Sequence, residues 1–452
     1  MNNLEQAEKI TIRNFSIFSP TIDKNGQLKE NYHDEFCFDN YTHFPIILNK
    51  DKSQWEDANR YLLYRLKSSN DIDSMTLDVI ARDLRDFKRY CDEEKVNYLK
   101  SPRKILRPNW LYRRHLNEKV EKAILSPNSL KRKLSSITGF YQWLINVEGI
   151  KFKFDLWNEK EAFVTYKDEK GFNQYKKVIT KDITNIPNTN SHSNNDNTII
   201  DGGSLKPLNI KEQISIFKAI KTSKNIEMEL IFLLSITTGA RVQTICTLRL
   251  EQFERIPTNK EKEVRIRIGY GTLCDTKYSR QNTLYIPIWL YKKINIYINS
   301  QKAIKRRNKA KHIFEKNNHQ YIFLTNRGIP FYVAKNDLYK SQYTVPPRGE
   351  TIRVFISTTL KKILKNMKDN ISFSFHDLRA TFGMNFIDAH AELIKNKKIS
   401  ITKVLIDLKE RMGHSSLETT EQYLNFRSKN KVSLDAQRNF EKYLREVIND
   451  II

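Results

Sequence analysis

Four short segments in the second half of the chain carry side chains that could act together on an anion. In TTGARVQTICTLRL, Arg241 follows a Gly-Ala break after an apolar helix, and the break lets the chain turn and start a new helix at Arg241. In GTLCDTKYSRQNTLYIP, two strand-like runs flank a hairpin tip that bears Lys277 and Arg280. In SFHDLRATFGMNF, His376 and Arg379 are three apart on one helical face, so both can point at one anion. In LKERMGHSSLETTEQYLNF, a helix ends at Gly413 and His414 sits in the turn. A new helix then begins with Ser415 or Ser416 as cap, and Tyr423 lies on it, nine residues past His414. Taken singly, each segment has an ordinary reading: a surface arginine, a solvated turn, a helix-face pair, a core tyrosine.

Taken together and in this order, the segments resemble the catalytic domain of the tyrosine recombinases, the phage-integrase family. HDLRATF with MGHSSLETTEQYL carries most of the likeness, which spans residues 206–428; residues 53–148 resemble the family's helical core-binding domain. The resemblance implies roles for individual residues. Tyr423 would attack a scissile phosphate, Arg241 and Arg379 would clamp its non-bridging oxygens, and His376 and His414 would hydrogen-bond it, with His376 the candidate base. Lys277 would protonate the 5′-oxygen leaving group, on a hairpin where lysines drift in register, and Arg280 close by is a candidate DNA contact. The product is a covalent 3′-phosphotyrosine, and strand exchange proceeds through a Holliday junction. The implied partners are double-stranded DNA bearing specific sites and three further copies of the chain on paired sites, with an accessory directionality factor as an optional addition.

The chemistry suits these residue types. A phosphodiester is anionic and gathers more negative charge in its pentavalent transition state, which two planar guanidiniums can meet with bidentate hydrogen bonds. A phenol with pKa near ~10 is a poor nucleophile at neutral pH and needs a base or a positive field beside it. The phosphotyrosine conserves the bond energy, so neither nucleotide nor metal is expected as cofactor. Three features depart from the family pattern. Thr244 stands where an acidic residue usually follows the first arginine by three, which predicts looser support for Arg241. Ala380 stands where histidine is common, and AHAELIKNKKIS lengthens the chain between Arg379 and His414.

The elements that must position these groups are legible from pattern. The predicted fold class is mainly α with small β-sheet: a helical core-binding domain plus a mixed α/β catalytic domain. Residues 1–50 read as an N-terminal extension or small module. Over 53–148, Ser53 with Glu56 forms a capping-box pattern, Leu77, Ile80, Leu84, Phe87 and Cys91 recur at helical spacing, and a basic helix is expected around Trp110–Ile124. A further helix opens at Ser126 and Pro127, with Lys131, Arg132 and Lys133 on its polar face as candidate DNA contacts. Residues 149–205 read as a hairpin insertion turning at Asp168–Gly171, followed by an Asn/Ser-rich linker. The catalytic domain, 206–428, opens with a capping box at Asn209 and Glu212. Residues 429–452 read as a helix for docking on a neighbouring protomer, with Val432, Leu434, Ala436, Phe440, Leu444, Val447 and Ile451 largely on one stripe.

Composition sets the boundaries. Of 452 residues, 78 are Lys or Arg and 52 are Asp or Glu, a net charge of +26 that speaks for an anionic partner. Gly 13 and Pro 12 make about half the usual ~12% share, which favours long helices. No apolar run approaches the ~18 residues of a spanning helix, and the first residues show no secretory pattern. Cys37, Cys91, Cys246 and Cys274 are scattered at no metal-ligand spacing. Composition thus predicts a cytoplasmic, metal-free protein, and the resemblance implies a DNA-recombining enzyme of a mobile element. The rivals are a binding protein of the same fold without catalysis and a type IB topoisomerase-like activity. A polybasic membrane binder is disfavoured because the charge is spread over several helices.

Overall fold

The computed structural model describes residues 6–16, 18–32, 40–68, 72–167, 173–185, 198–258, 260–310, 317–335, 337 and 339–428. The chain is mainly helical with small two-stranded antiparallel sheets, and it divides into two units, residues 1–193 and 194–452. Among the described residues no helix is long and apolar enough to cross a membrane.

In the first unit, β1 (Glu8–Ser16) pairs with β4 (Asn40–Leu48), and β2 (Phe18–Ile22) pairs with β3 (Leu28–Tyr32). Four helices follow: α1 (Glu56–Lys67), α2 (Ser74–Glu93), α3 (Pro108–Glu121) and α4 (Pro127–Asn146). Their apolar stripes meet in one core holding Trp55, Leu77, Leu84, Phe87, Leu134 and Phe140, to which β4 adds Phe44 and Ile47. Residues 1–50 thus supply a sheet that shares the helical core. The α4 start is as the sequence predicts: Pro127 is the first helical residue and Ser126 Oγ accepts from Ser129 N–H. The α1 start is not. Its N-cap is Trp55, with no side-chain cap, and Ser53 turns back onto Asp51. Tertiary anchoring overrides the local box: Trp55 is buried, its backbone N–H donates to Ile47 O, and its indole donates to Tyr98 Oη.

The predicted basic face of α4 is partly neutralised. Arg132 bonds both oxygens of buried Asp83 (2.7 and 2.6 Å), and Lys133 pairs with Asp86 at 2.5 Å, while Lys131 lies on the exposed face. β5 (Glu159–Lys167) and β6 (Asn173–Lys181) form the expected hairpin, whose turn lies outside the described residues.

In the second unit, β7 (Ile199–Ile200) and β8 (Ser204–Leu205) form a tight hairpin. The Asn/Ser-rich run at 186–197 lies outside the described residues, but 199–205, read as linker from sequence, packs into this unit. α5 (Ile210–Thr222) opens with the predicted reciprocal capping box of Asn209 and Glu212, and α6 (Ile226–Thr238) is the buried apolar helix. After it come α7 (Val242–Cys246), the antiparallel pair β9 (Glu263–Ile268) and β10 (Asn282–Pro287), α8 (Ile288–Ile298) and α9 (Gln301–Lys309). A helical run comprises α10 (Glu350–Val354), a π-helical turn and α11 (Lys361–Asn366). Then α12 (Asp377–Ala389), α13 (Ala391–Lys395), within the AHAELIKNKKIS segment, and α14 (Ile401–Met412) precede the last described helical segment, 417–428. The main core gathers α6, β9, β10 and α8. A second, smaller cluster joins Ile199 and Leu205 to Ala380, Phe382, Leu408, Met412 and Tyr423. The docking stripe from Val432 to Ile451 lies outside the described residues.

Candidate active site

The first arginine is aimed by a helix stop. α6 ends at Gly239, whose φ of +69° is left-handed. A Cβ there would stand 2.6 Å from the Phe382 ring, so both conformation and space require glycine. Two residues on, Arg241 is the N-cap of α7, and its guanidinium projects into a cleft lined also by Lys277, Arg280, Arg379 and His414.

The second arginine is fixed more tightly. Arg379 lies on the first turn of α12 and is 2% exposed. Its Nη1 donates to Gly239 O (2.6 Å) and its Nη2 to Met412 O (2.9 Å). Both acceptors are at the ends of helices, so the guanidinium plane is set by α6 and α14 together. Its third nitrogen, Nε, points into the site.

α14 stops at Gly413 in a left-handed turn, as expected, and His414 follows. Its Nδ1 meets Thr420 Oγ1 at 2.8 Å, which fixes the ring on the helix 417–428 that bears Tyr423. Ser416 Oγ accepts from Thr419 N–H at 3.4 Å, so Ser416 is the cap of that helix. Tyr423 is fully buried, stacked 6.0 Å from the His414 ring. It lies against Gly383 of α12 at a distance that leaves no room for a side chain there. His376 is the N-cap of α12, one position before the helix proper, and still faces the same point as Arg379.

That point is occupied by Asp201, at the tip of the β7–β8 hairpin. Its Oδ2 accepts from Arg379 Nε (2.7 Å), His414 Nε2 (3.0 Å) and Tyr423 Oη (3.0 Å). Its Oδ1 accepts from Arg241 Nη2 at 3.3 Å. Its backbone carbonyl meets His376 Nε2 at 3.3 Å; a carbonyl only accepts, so that nitrogen carries the proton. Five of the six catalytic candidates therefore converge on one residue. Lys277, in the turn between β9 and β10, is exposed, and its Nζ stands 3.4 Å from the position a Cβ on Gly202 would take. Arg280 lines the same cleft and is exposed.

The electrostatics follow from burial and from this shared anion. Burial alone would raise the Asp201 carboxyl. The hydrogen bond from His414 and the charge of Arg379 overcome it and hold the group well below the ordinary carboxylate range. Burial, then the neighbouring Arg379, pulls Arg241 down to about 10. Burial lowers His414 against the pull of Asp201, and burial with Arg379 and Arg241 lowers His376. Burial, then the Asp201 charge, raises the Tyr423 phenol well above its usual value. Arg379 is buried and Arg241 half-buried, and both face one carboxylate, whose removal would strand their charge.

Thr244 is buried and offers no carboxylate, but Arg241 is not left without one, since Asp201 supplies it. Ala380, fully buried, packs in the cluster that receives the hairpin. Sequence reasoning missed Asp201. The signal was there: an apolar Ile199-Ile200 pair running into Asp-Gly-Gly is a hairpin pattern inside a polar run. Among the described residues no group of three or more His, Cys, Asp or Glu side chains is placed to hold a metal ion.

Comparison with known proteins places the chain. The profile of the Phage integrase family matches residues 207–430, and that of the Phage integrase N-terminal SAM-like domain matches residues 58–148. A search of curated protein sequences returns no match. Solved structures similar to it include the Tn1549 transposon integrase in complex with a circular intermediate DNA, at 14% identity and a TM-score of 0.44, covering 81% of this chain and 94% of that one. A lambda integrase dimer bound to a COC′ core site gives the same identity, TM-score and coverages. XerA recombinase is 13% identical with a TM-score of 0.29, covering 81% and 92%. The first profile spans the stretch that carries all four segments and the second the helical stretch before it, and the chain belongs to the phage integrase, or tyrosine recombinase, family.

Proposed function

We propose that this protein is a site-specific DNA recombinase of a mobile element, cleaving and rejoining strands through Tyr423. The observation that carries the reading is the convergence of Arg241, Arg379, His414 and Tyr423 on one carboxylate, with His376 on the same residue's carbonyl. That is a site built to surround an anion with directed donors and to hold a hydroxyl against it. A phosphodiester is the anion the family handles, and +26 of net charge suits a DNA partner.

In this mechanism the Tyr423 oxygen attacks the phosphorus, with its proton passing to a neighbouring base for which His376 is the candidate. The phosphorus–O5′ bond breaks as the Tyr–phosphorus bond forms, and Lys277 delivers a proton to the departing O5′. Arg241 and Arg379 meet the extra charge on the non-bridging oxygens. Such oriented donors each contribute ~10²–10³ in rate. A 5′-hydroxyl from the exchanging strand then reverses the step, so the bond energy is conserved. Four protomers on paired sites, passing through a Holliday junction, complete the exchange, with the segment from residue 432 onward as the docking element between neighbours. The setting is the cytoplasm.

The test is a plasmid carrying the joined ends of the element that encodes the protein. Wild type should trap covalent protein–DNA adduct. Tyr423→Phe should bind the same DNA and trap none. An undiminished adduct in that variant excludes Tyr423 as the nucleophile.

A further inference from the structure

Asp201 occupies the position at which the proposed reaction requires a phosphate. Asp201, Arg379, His414 and Tyr423 are all buried, so with the carboxylate in place a DNA phosphate has no room among the donors that hold it. Its two oxygens take four side-chain donors: Arg241, Arg379 and His414, which the proposed reaction assigns to the phosphate, and the hydroxyl of Tyr423, which attacks it. A carboxylate and a phosphodiester cannot share such a site, because both are anions and both need the same donors. We infer that the β7–β8 hairpin is an autoinhibitory plug, in which Asp201 stands in for the scissile phosphate and must withdraw before DNA is cleaved.

The hairpin is fastened as a plug would be. Ile199 and Leu205 are buried in the cluster around Phe382, Met412 and Tyr423. Ile200 N–H donates to Gln422 Oε1 at 3.0 Å, one residue before the nucleophile. Lys206 N–H donates to Asp377 Oδ1 and Leu208 N–H to Thr381 Oγ1, both on α12. The attachment is local, with only two residue pairs joining the strands, so it can release without unfolding the core. Because it grips both Gln422 and the Tyr423 hydroxyl, its withdrawal also releases the hydroxyl that is to attack. A DNA phosphate that competes for the arginines would favour the withdrawn state by mass action.

The inference rests on the proposed recombinase reading, so the experiment has one arm that needs no chemistry. Asp201→Asn removes the charge and keeps the size. Inorganic phosphate, titrated into a thermal melt, should stabilise this variant and leave wild type little changed, with affinity raised by about tenfold or more. In the second arm, the single-turnover rate of adduct formation should also rise by about tenfold or more over wild type. If Asp201→Asn shows no cooperative melt, Ile199→Ala decides: it loosens the hairpin without touching the charge set and should move both readouts the same way by a smaller factor. Should phosphate bind the variant while no protein ever forms adduct, the recombinase reading falls and the occlusion of the anion site by Asp201 stands. Should wild type form adduct while neither variant gains phosphate affinity or rate, the plug is overturned and the recombinase reading stands. A loss of both in Asp201→Asn, with Ile199→Ala unchanged, would make Asp201 a permanent positioning residue and overturn the plug.

Discussion

Gly383→Ala is a single methyl that should reach Tyr423, the proposed nucleophile. Built on Gly383, a Cβ would lie 2.4 Å from Tyr423 Cε1 and 2.6 Å from Cδ1. Carbon atoms rest at ~3.5–4.0 Å, so the ring or its helix must retreat by about 1 Å or more. α12 and helix 417–428 both belong to the buried cluster with Phe382, Leu408 and Met412, which leaves little slack. A misplacement of about 1 Å in a reacting group costs ~10²-fold in rate. Stability should change less. Alanine gains about 0.8–1.0 kcal/mol over glycine in a helix interior, against an overpacking cost of ~1–3 kcal/mol. The net is a loss of up to about 2 kcal/mol, a few degrees in Tm for a chain of this size. The assay is the single-turnover rate of adduct formation at saturating DNA, measured beside DNA affinity and Tm. A rate down by about 10² with affinity retained is expected. A rate and Tm both equal to wild type would show that Tyr423 does not lie against α12 when it reacts.

Arg379→Lys keeps the charge but cannot span Gly239 O, Met412 O and the anion, since an ammonium is a point donor. Adduct formation should fall by about 10³, measured in the same single-turnover assay, and unimpaired turnover would show that the guanidinium fork is not used. The pH dependence of stability has a definite sign. His376 and His414 both have lowered pKa values, so the unfolded chain binds more protons than the folded one just below pH ~6.5. Their stabilising contribution is complete above that pH and is lost as pH falls toward the lowered folded values. Tm should therefore drop between pH 7 and pH 5, and His414→Gln should flatten the drop; a Tm that rises on acidification would contradict the burial of neutral imidazoles.

The parts of the site that were legible in the sequence are those set by local chemistry. The stop of α6 at Gly239, the stop of α14 at Gly413, the capping box of Asn209 and Glu212, and the nine-residue step from His414 to Tyr423 all depend on neighbours within a few turns. The parts that were not legible depend on segments far apart in the chain. Asp201 meets Arg379 across 178 residues and Tyr423 across 222, and nothing near Asp201 marks it except a short apolar pair. Gly383 looks like any helical glycine until the Tyr423 ring is placed against it. Ser53 failed as a cap for the same reason, because Trp55 is held by β4 and Tyr98. Lys133 reads as a free basic residue on α4 and proves to be paired with Asp86 of α2.

The central claim is a covalent bond between Tyr423 and DNA. It is tested most directly by trapping the adduct, digesting it with nuclease and protease, and locating the residual nucleotide by mass spectrometry. The account predicts one modified peptide, spanning the helix 417–428, with a 3′-nucleotide phosphate on Tyr423 and a free 5′-hydroxyl on the other DNA product. A nucleotide attached to any other residue, or a 5′-phosphate at the break, would contradict it.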